Sequence, residues 1–346
     1  MLQGLAAGAV VSGTGLRAWG AEAKNLTIIS AGGAWQAAQR AAWYQPFAKK
    51  MGIDFHEAFD SIPLAKVTAM VRAGSVSVDL CTVETFDVLQ GGDAGILQKL
   101  DYGRIAPRSG FIPGGALDYA MAIDVYGDVL AYDTTALKEG PTDVLAVFDT
   151  KRYPGKRGLR KVAVNNVEWA LMADGVPTDQ VYKVLATPKG VDQAFRKLDT
   201  IKHDTVWWTA GAQPPQFLAS KEVVMSTAWN GRIQNPIDKD HAPFKIAWDH
   251  QILEFDMISI PKGAPHEDLA YQYLAYITEP AVNARLASQI PYGPTVKAAI
   301  AHVPKDVLEK LPNSPDHMSA HLVADPDFWA DYGEDLNRRF SAWLAT

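Results

Sequence analysis

Cysteine occurs once in the 346 residues, at Cys81, which excludes an internal disulfide and any cysteine-based metal site. Alone in an apolar run, it reads as a small buried residue. Positive charge is not in excess either: 33 basic side chains stand against 39 acidic ones, a formal charge of −6. The chain lacks the clustered Lys and Arg that phosphate neutralisation requires, so nucleic acid is not an expected partner. Beyond the amino terminus no stretch offers the ~18 uninterrupted apolar residues of a membrane helix. Also missing are the phosphate-binding loop, the nucleophile elbow, the His-Glu-x-x-His pair and the dinucleotide fingerprint. The eight histidines are scattered; His317 and His321 lie four apart, but Pro315 and Asp316 precede them and no third ligand is near. Glu168 and Asp174 are too loosely spaced to specify acid–base work. No enzyme, metal or organic cofactor is expected.

What remains is an ordinary globular composition, 48% hydrophobic and 21% charged, at a length that suits two lobes. Residues 2–11 are small and apolar, and Ala21-Glu22-Ala23 gives small residues at both determining positions of a cleavage site. Together they read as a secretory leader cleaved after Ala23, so that the mature chain is exported and soluble. No Lys or Arg precedes the apolar stretch, and the run from Leu2 to Ala9 resembles the part of a twin-arginine signal that follows the arginines.

From Leu26 onward short apolar runs alternate with helical patterns. Leu26–Ser30 reads as a buried strand turned into a helix by Ala31-Gly32-Gly33. Asp60-Ser61 offers an N-cap, and Pro63 sits in a first turn where its missing N–H costs nothing. Leu64, Val67 and Val71 then share one helix face. Strands are expected at Val78–Thr82, Val223–Thr227, Phe244–Trp248 and Phe255–Pro261. Helices are expected around Thr178–Leu198, at Leu269–Ile277 and at Phe328–Leu344. The segment Tyr153–Gly158, rich in Pro, Gly and basic residues, reads as a solvated surface loop. Strand–helix alternation of this kind argues for parallel α/β layers.

Several of the ten Trp residues sit in or beside turns. Trp35 follows the first strand, where open α/β sheets bind ligands. Trp207-Trp208 precede Thr209-Ala210-Gly211, and Trp229 opens Trp-Asn-Gly-Arg directly after a strand. Asp256 interrupts an otherwise apolar strand, where an acid is costly unless it is paired or at a pocket edge. Aromatic faces and a carboxylate make a receptor for an ammonium group, and Arg232 offers a fork for a carboxylate at the opposite end. Taken singly, these residues also fit plain packing or surface charge.

At these residues the chain resembles the periplasmic solute-binding proteins of ABC importers, in the spermidine/putrescine-binding branch that includes γ-aminobutyrate-binding relatives. The resemblance spans residues 26–344. It rests on Trp229-Asn230-Gly231-Arg232, on the strand around Asp256 running into Ile260-Pro261-Lys262-Gly263, and on Pro291-Tyr292-Gly293-Pro294-Thr295. It implies a two-lobed α/β fold, type II-like, each lobe a mostly parallel sheet flanked by helices, with the ligand cleft between them. The expected division is residues 24–128 and 254–310 for a discontinuous first lobe and 129–253 for the second, with 311–346 packing across both.

By the same resemblance Trp229 stacks on the ligand, Asp256 takes an amine, Tyr292 lines the cleft, and Trp35 and Glu84 approach from the first lobe, with Trp208 beside them. The implied partners are a small amine-bearing solute and a membrane permease, and the binding protein acts as a monomer. There are departures. Polyamine binders usually carry an aromatic just before the acid, where Glu254-Phe255 stand here, and a small residue where Arg232 stands. A fixed cation repels a linear polyamine but suits an ω-amino acid, so both solute classes stay open. The same fold with an organic anion, sugar or metal chelate, or an exported enzyme, are the alternatives.

Overall fold

The computed structural model describes residues 25–60, 63–85 and 87–346. The expected leader and the Ser61 half of the expected N-cap lie outside these residues. The first strand, β1 (Asn25–Ser30), buries Leu26, Ile28 and Ile29 and pairs in parallel with β2 (Asp54–Phe59) and β3 (Leu80–Glu84). Gly32 and Gly33 both take positive φ, which lets the chain turn at once from β1 into the helix Gly33–Gln39 that carries Trp35. The helix Pro63–Arg72 presents Val67 to the interior, as its apolar spacing predicts. Cys81 is buried in β3, and burial pushes its thiol up to about 12.

Two long antiparallel strands form the middle of the molecule: β4 (Met121–Asp133), buried along its whole length, and β8 (Phe244–Ser259). Beyond β4 lie β7 (Met225–Trp229), β5 (Arg157–Arg160) and β6 (Thr205–Trp208), and β9 (His321–Val323) adds to β8. The order is β2-β1-β3-β8-β4-β7-β5-β6. Apolar clusters gather at either end, one around Trp43, Phe47 and Tyr273, the other around Trp169, Leu159 and Phe340. This is the two-lobed α/β periplasmic binding fold, with β4 and β8 running from one lobe into the other. No helix among the described residues is long and apolar enough to cross a membrane.

The sequence pattern splits β8 into two strands, whereas the structure makes one. Between the pairs Asp128–Ile252 and Leu130–Ala247, β4 advances two residues and β8 five. The surplus forms a bulge in which His250 takes φ +60°, held at 3.1 Å from Asp143, while buried Gln251 donates to the carbonyls of Pro312 and His317. Its polar residues read locally as a loop. Residues 154–156 form the solvated loop that the composition of Tyr153–Gly158 suggests, but its two ends are buried. Arg157 opens β5, is wholly buried, and donates to the carbonyls of Gly155 and Tyr153. The terminal helix Pro326–Leu344 buries Phe328, Trp329, Leu336 and Phe340 in the second lobe's core and also touches the first-lobe helix Asp87–Asp93.

Candidate functional site

Strand pairing assembles a row of acids that lie far apart in sequence. Glu84, the last residue of β3, stands opposite Asp256 of β8, and Asp256 stands opposite Asp124 of β4. One repeat along the same face, Tyr126 faces Glu254, and Asp128 follows. The indole N–H of Trp35 donates to Oδ2 of Asp124 at 2.7 Å. The Tyr126 hydroxyl donates to Oε2 of Glu254 at 3.0 Å, and Nδ2 of Asn165 donates to Oε1 at 2.7 Å.

A cavity of about 280 Å³ lies against this row, lined by Glu84, Tyr126, Arg160, Val162, Val164, Trp229, Glu254 and Asn337. It therefore draws on the first lobe, the crossing strands, the second lobe and the terminal helix.

The Trp229 ring stands edge-on to Trp208 at 5.7 Å and edge-on to Tyr126 at 6.4 Å, and the Arg160 guanidinium lies 5.1 Å over it. Glycine at 211 permits this: a Cβ there would meet the Trp229 ring at 2.3 Å and Nε of Arg232 at 3.4 Å. Trp208 itself is wholly buried. It does not face the cleft but backs Trp229. Tyr292 packs 5.7 Å from Tyr126, over Gly231, where a Cβ would come within 2.6 Å of its ring. Arg232 is exposed and makes no hydrogen bond or ion pair with any described residue.

The electrostatics follow from five carboxyls gathered near two guanidiniums. Burial pushes Asp124 up to about 7, and burial together with Asp124 raises Asp256 well above the carboxylate range. Asp128 is raised by burial and by Glu254. Glu84 is raised by the surrounding protein and by Asp256 and Glu254, with Arg160 opposing. Burial, Asp256 and Asp124 raise the Tyr292 hydroxyl, and Arg232 opposes them, so the phenol lies in the fields of both the expected amine acceptor and the expected carboxylate fork.

Of the residues expected from sequence, Trp35, Glu84, Trp229, Asp256 and Tyr292 gather around this row, with Arg232 at its exposed edge. Sequence reasoning missed Asp124, Asp128, Tyr126, Asn165 and Arg160. The signal for the first two was available: Asp124 and Asp128 break an apolar run just as Asp256 does. Glu168, left unplaced by sequence, is buried in the second lobe, where the Trp329 indole donates to it at 2.8 Å.

Comparison with known proteins bears on the same region. A γ-aminobutyric acid-binding protein of Pseudomonas aeruginosa is 41% identical over 325 residues, 94% of this chain and 92% of that one. Among solved structures, the Atu4243–GABA receptor superposes with a TM-score of 0.83 at 31% identity, covering 93% of this chain and 98% of its own. An ABC transporter substrate-binding protein from Bradyrhizobium japonicum superposes at 0.85 with 32% identity, covering 92% and 99%. Residues 42–315 match the bacterial extracellular solute-binding protein family, and the chain belongs to that family.

Proposed function

We propose that this protein captures an ω-amino acid, γ-aminobutyrate, in the interlobe cleft and hands it to the permease of an ABC importer. The observation that carries the reading is Tyr292, which packs over Gly231, the neighbour of Arg232, and whose hydroxyl lies in the fields of both Asp256 and Arg232, a cation with no ion pair among the described residues. Asp256 takes the ammonium group and Arg232 the carboxylate, with Trp229 and Tyr292 as walls and Trp35 and Glu84 closing from the first lobe. Trp208 holds the Trp229 ring upright. The 41% identical γ-aminobutyric acid-binding protein supports this choice of solute.

Closure turns about β4 and β8, whose register breaks between Asp128 and Leu130, at the boundary proposed between residues 24–128 and 129–253. A solute touching both lobes favours the closed form, and that form is the one the permease reads. In this reading the chain is periplasmic, loses its leader after Ala23, and works as a monomer.

The excess of acids over cations in the cleft favours a second reading, a diamine. Calorimetric titration with γ-aminobutyrate, putrescine, spermidine and an amine-free dicarboxylate separates the two. Binding of γ-aminobutyrate without putrescine is expected; the reverse overturns the assignment of Arg232. Asp256→Asn is expected to weaken amine binding by about a hundredfold or more, since a charged partner loses its counter-ion. Unchanged affinity sinks the site.

A further inference from the structure

We infer that Asp124 is a positioning residue for the amine acceptor: in the empty cleft it shares one proton with Asp256, and an arriving ammonium group displaces that proton into solvent. The inference rests on the proposed function in one respect, that the amine docks at Asp256.

Asp124 is wholly buried, and only one of its oxygens is served: Oδ2 accepts from Trp35, while Oδ1 has no donor among the described residues. Directly across the strand pair from it stands a second acid, Asp256. Two ionised carboxylates side by side in a largely buried position repel each other strongly, and a proton between them removes the repulsion while satisfying Oδ1.

Among the described residues the surroundings offer nothing else to do this. Glu84 faces the pair from β3, Glu254 acts from β8 itself and Tyr126 from β4; Tyr292 approaches from the loop after Ile290, and Tyr44 from the first lobe. All five are acids or phenols. The two cations act elsewhere, Arg160 on Glu84 and Asp128, and Arg232 on Tyr292. An ammonium group carries both the missing charge and N–H donors. The balance is therefore one shared proton out for one ammonium in, with no bond to carbon changed. Trp35 holds Oδ2, which keeps the free oxygen of Asp124 turned toward its neighbour.

Calorimetric titration of γ-aminobutyrate in two buffers of unlike ionisation enthalpy, between about pH 5.5 and 8, reads the proton directly. Proton release is expected on binding, with affinity rising as pH rises, by at most about tenfold per unit. In Asp124→Asn the amide donates to an already ionised Asp256, so release falls toward zero and the affinity profile flattens. Trp35→Phe removes the donor that favours ionised Asp124 and moves the profile to higher pH. Binding without proton release, or equal profiles in wild type and Asp124→Asn, overturns the inference.

A protein that binds no γ-aminobutyrate at any pH defeats the functional reading instead. Titration of the empty protein followed by carboxyl-carbon NMR then decides the inference alone. An aspartate signal titrating above the ordinary range in wild type, and absent in Asp124→Asn, supports it; aspartates all in the ordinary range overturn it.

Discussion

Asn230 fastens β4 at Gly127: its side-chain oxygen accepts the buried Gly127 N–H at 3.0 Å, while its amide nitrogen donates to the Pro291 carbonyl at 2.7 Å. One side chain thus ties β4 to the loop that carries Tyr292, from the first turn of the helix Asn230–Asp240. Asn230→Ala leaves a buried donor unpaired, at a cost of about 1–3 kcal/mol. A fall of several degrees in Tm is expected, together with weaker solute binding as Tyr292 loses its anchor. A Tm equal to wild type in differential scanning calorimetry contradicts this role.

Arg232 stands exposed beside the cleft without a hydrogen-bond or ion-pair partner among the described residues. If it receives a carboxylate, Arg232→Ala weakens γ-aminobutyrate by about ten- to hundredfold, the range for a lost charged hydrogen bond. Putrescine affinity stays level or rises, because a repelling cation has gone. A parallel loss for both ligands assigns Arg232 to shaping the cleft rather than to the carboxylate.

The close approach of Gly211 to Trp229 predicts a selective defect. Gly211→Ala places a methyl 2.3 Å from the indole ring, so the ring or the loop must shift. Tryptophan fluorescence and ligand titration should then show a displaced Trp229 and reduced affinity. Identical spectra and affinity would mean that the loop yields without moving the ring.

Glu168 makes stability depend on pH. Burial raises its carboxyl to about 8, and one of its oxygens has no partner among the described residues. Because the folded pKa lies above the unfolded one, folding keeps a proton that the unfolded chain gives up. Stability therefore falls as pH rises from about 4.3 toward 8, by at most about 1.4 kcal/mol per unit. Glu168→Gln should remove this slope, so its Tm relative to wild type climbs across that window. A difference independent of pH refutes the assignment.

Local pattern carried much of this architecture. The run Leu26–Ser30, the Gly pair after it, and the spacing of Leu64, Val67 and Val71 each specify an element without help from the rest of the chain. Asp256 and Trp229 were also legible, because an acid in an apolar strand and a tryptophan beside a turn are costly unless something uses them. Burial on both faces erased the signal elsewhere. β4 is buried on both faces, so exposure does not mark the face on which Asp124, Tyr126 and Asp128 alternate with apolar residues, and the β8 bulge imitates a loop.

The sequence by itself determined the α/β alternation, a length suited to two lobes and the residue types suited to an amine-bearing solute. Only the tertiary structure decided that Asp124, 132 positions before Asp256, becomes its neighbour, that Trp208 stands behind Trp229, and that Arg160 joins the cleft. The reason is that helix and strand preferences act over a few residues. Register between distant strands is fixed by burying their faces together, and that same burial brings the carboxyls close enough to govern one another's protons.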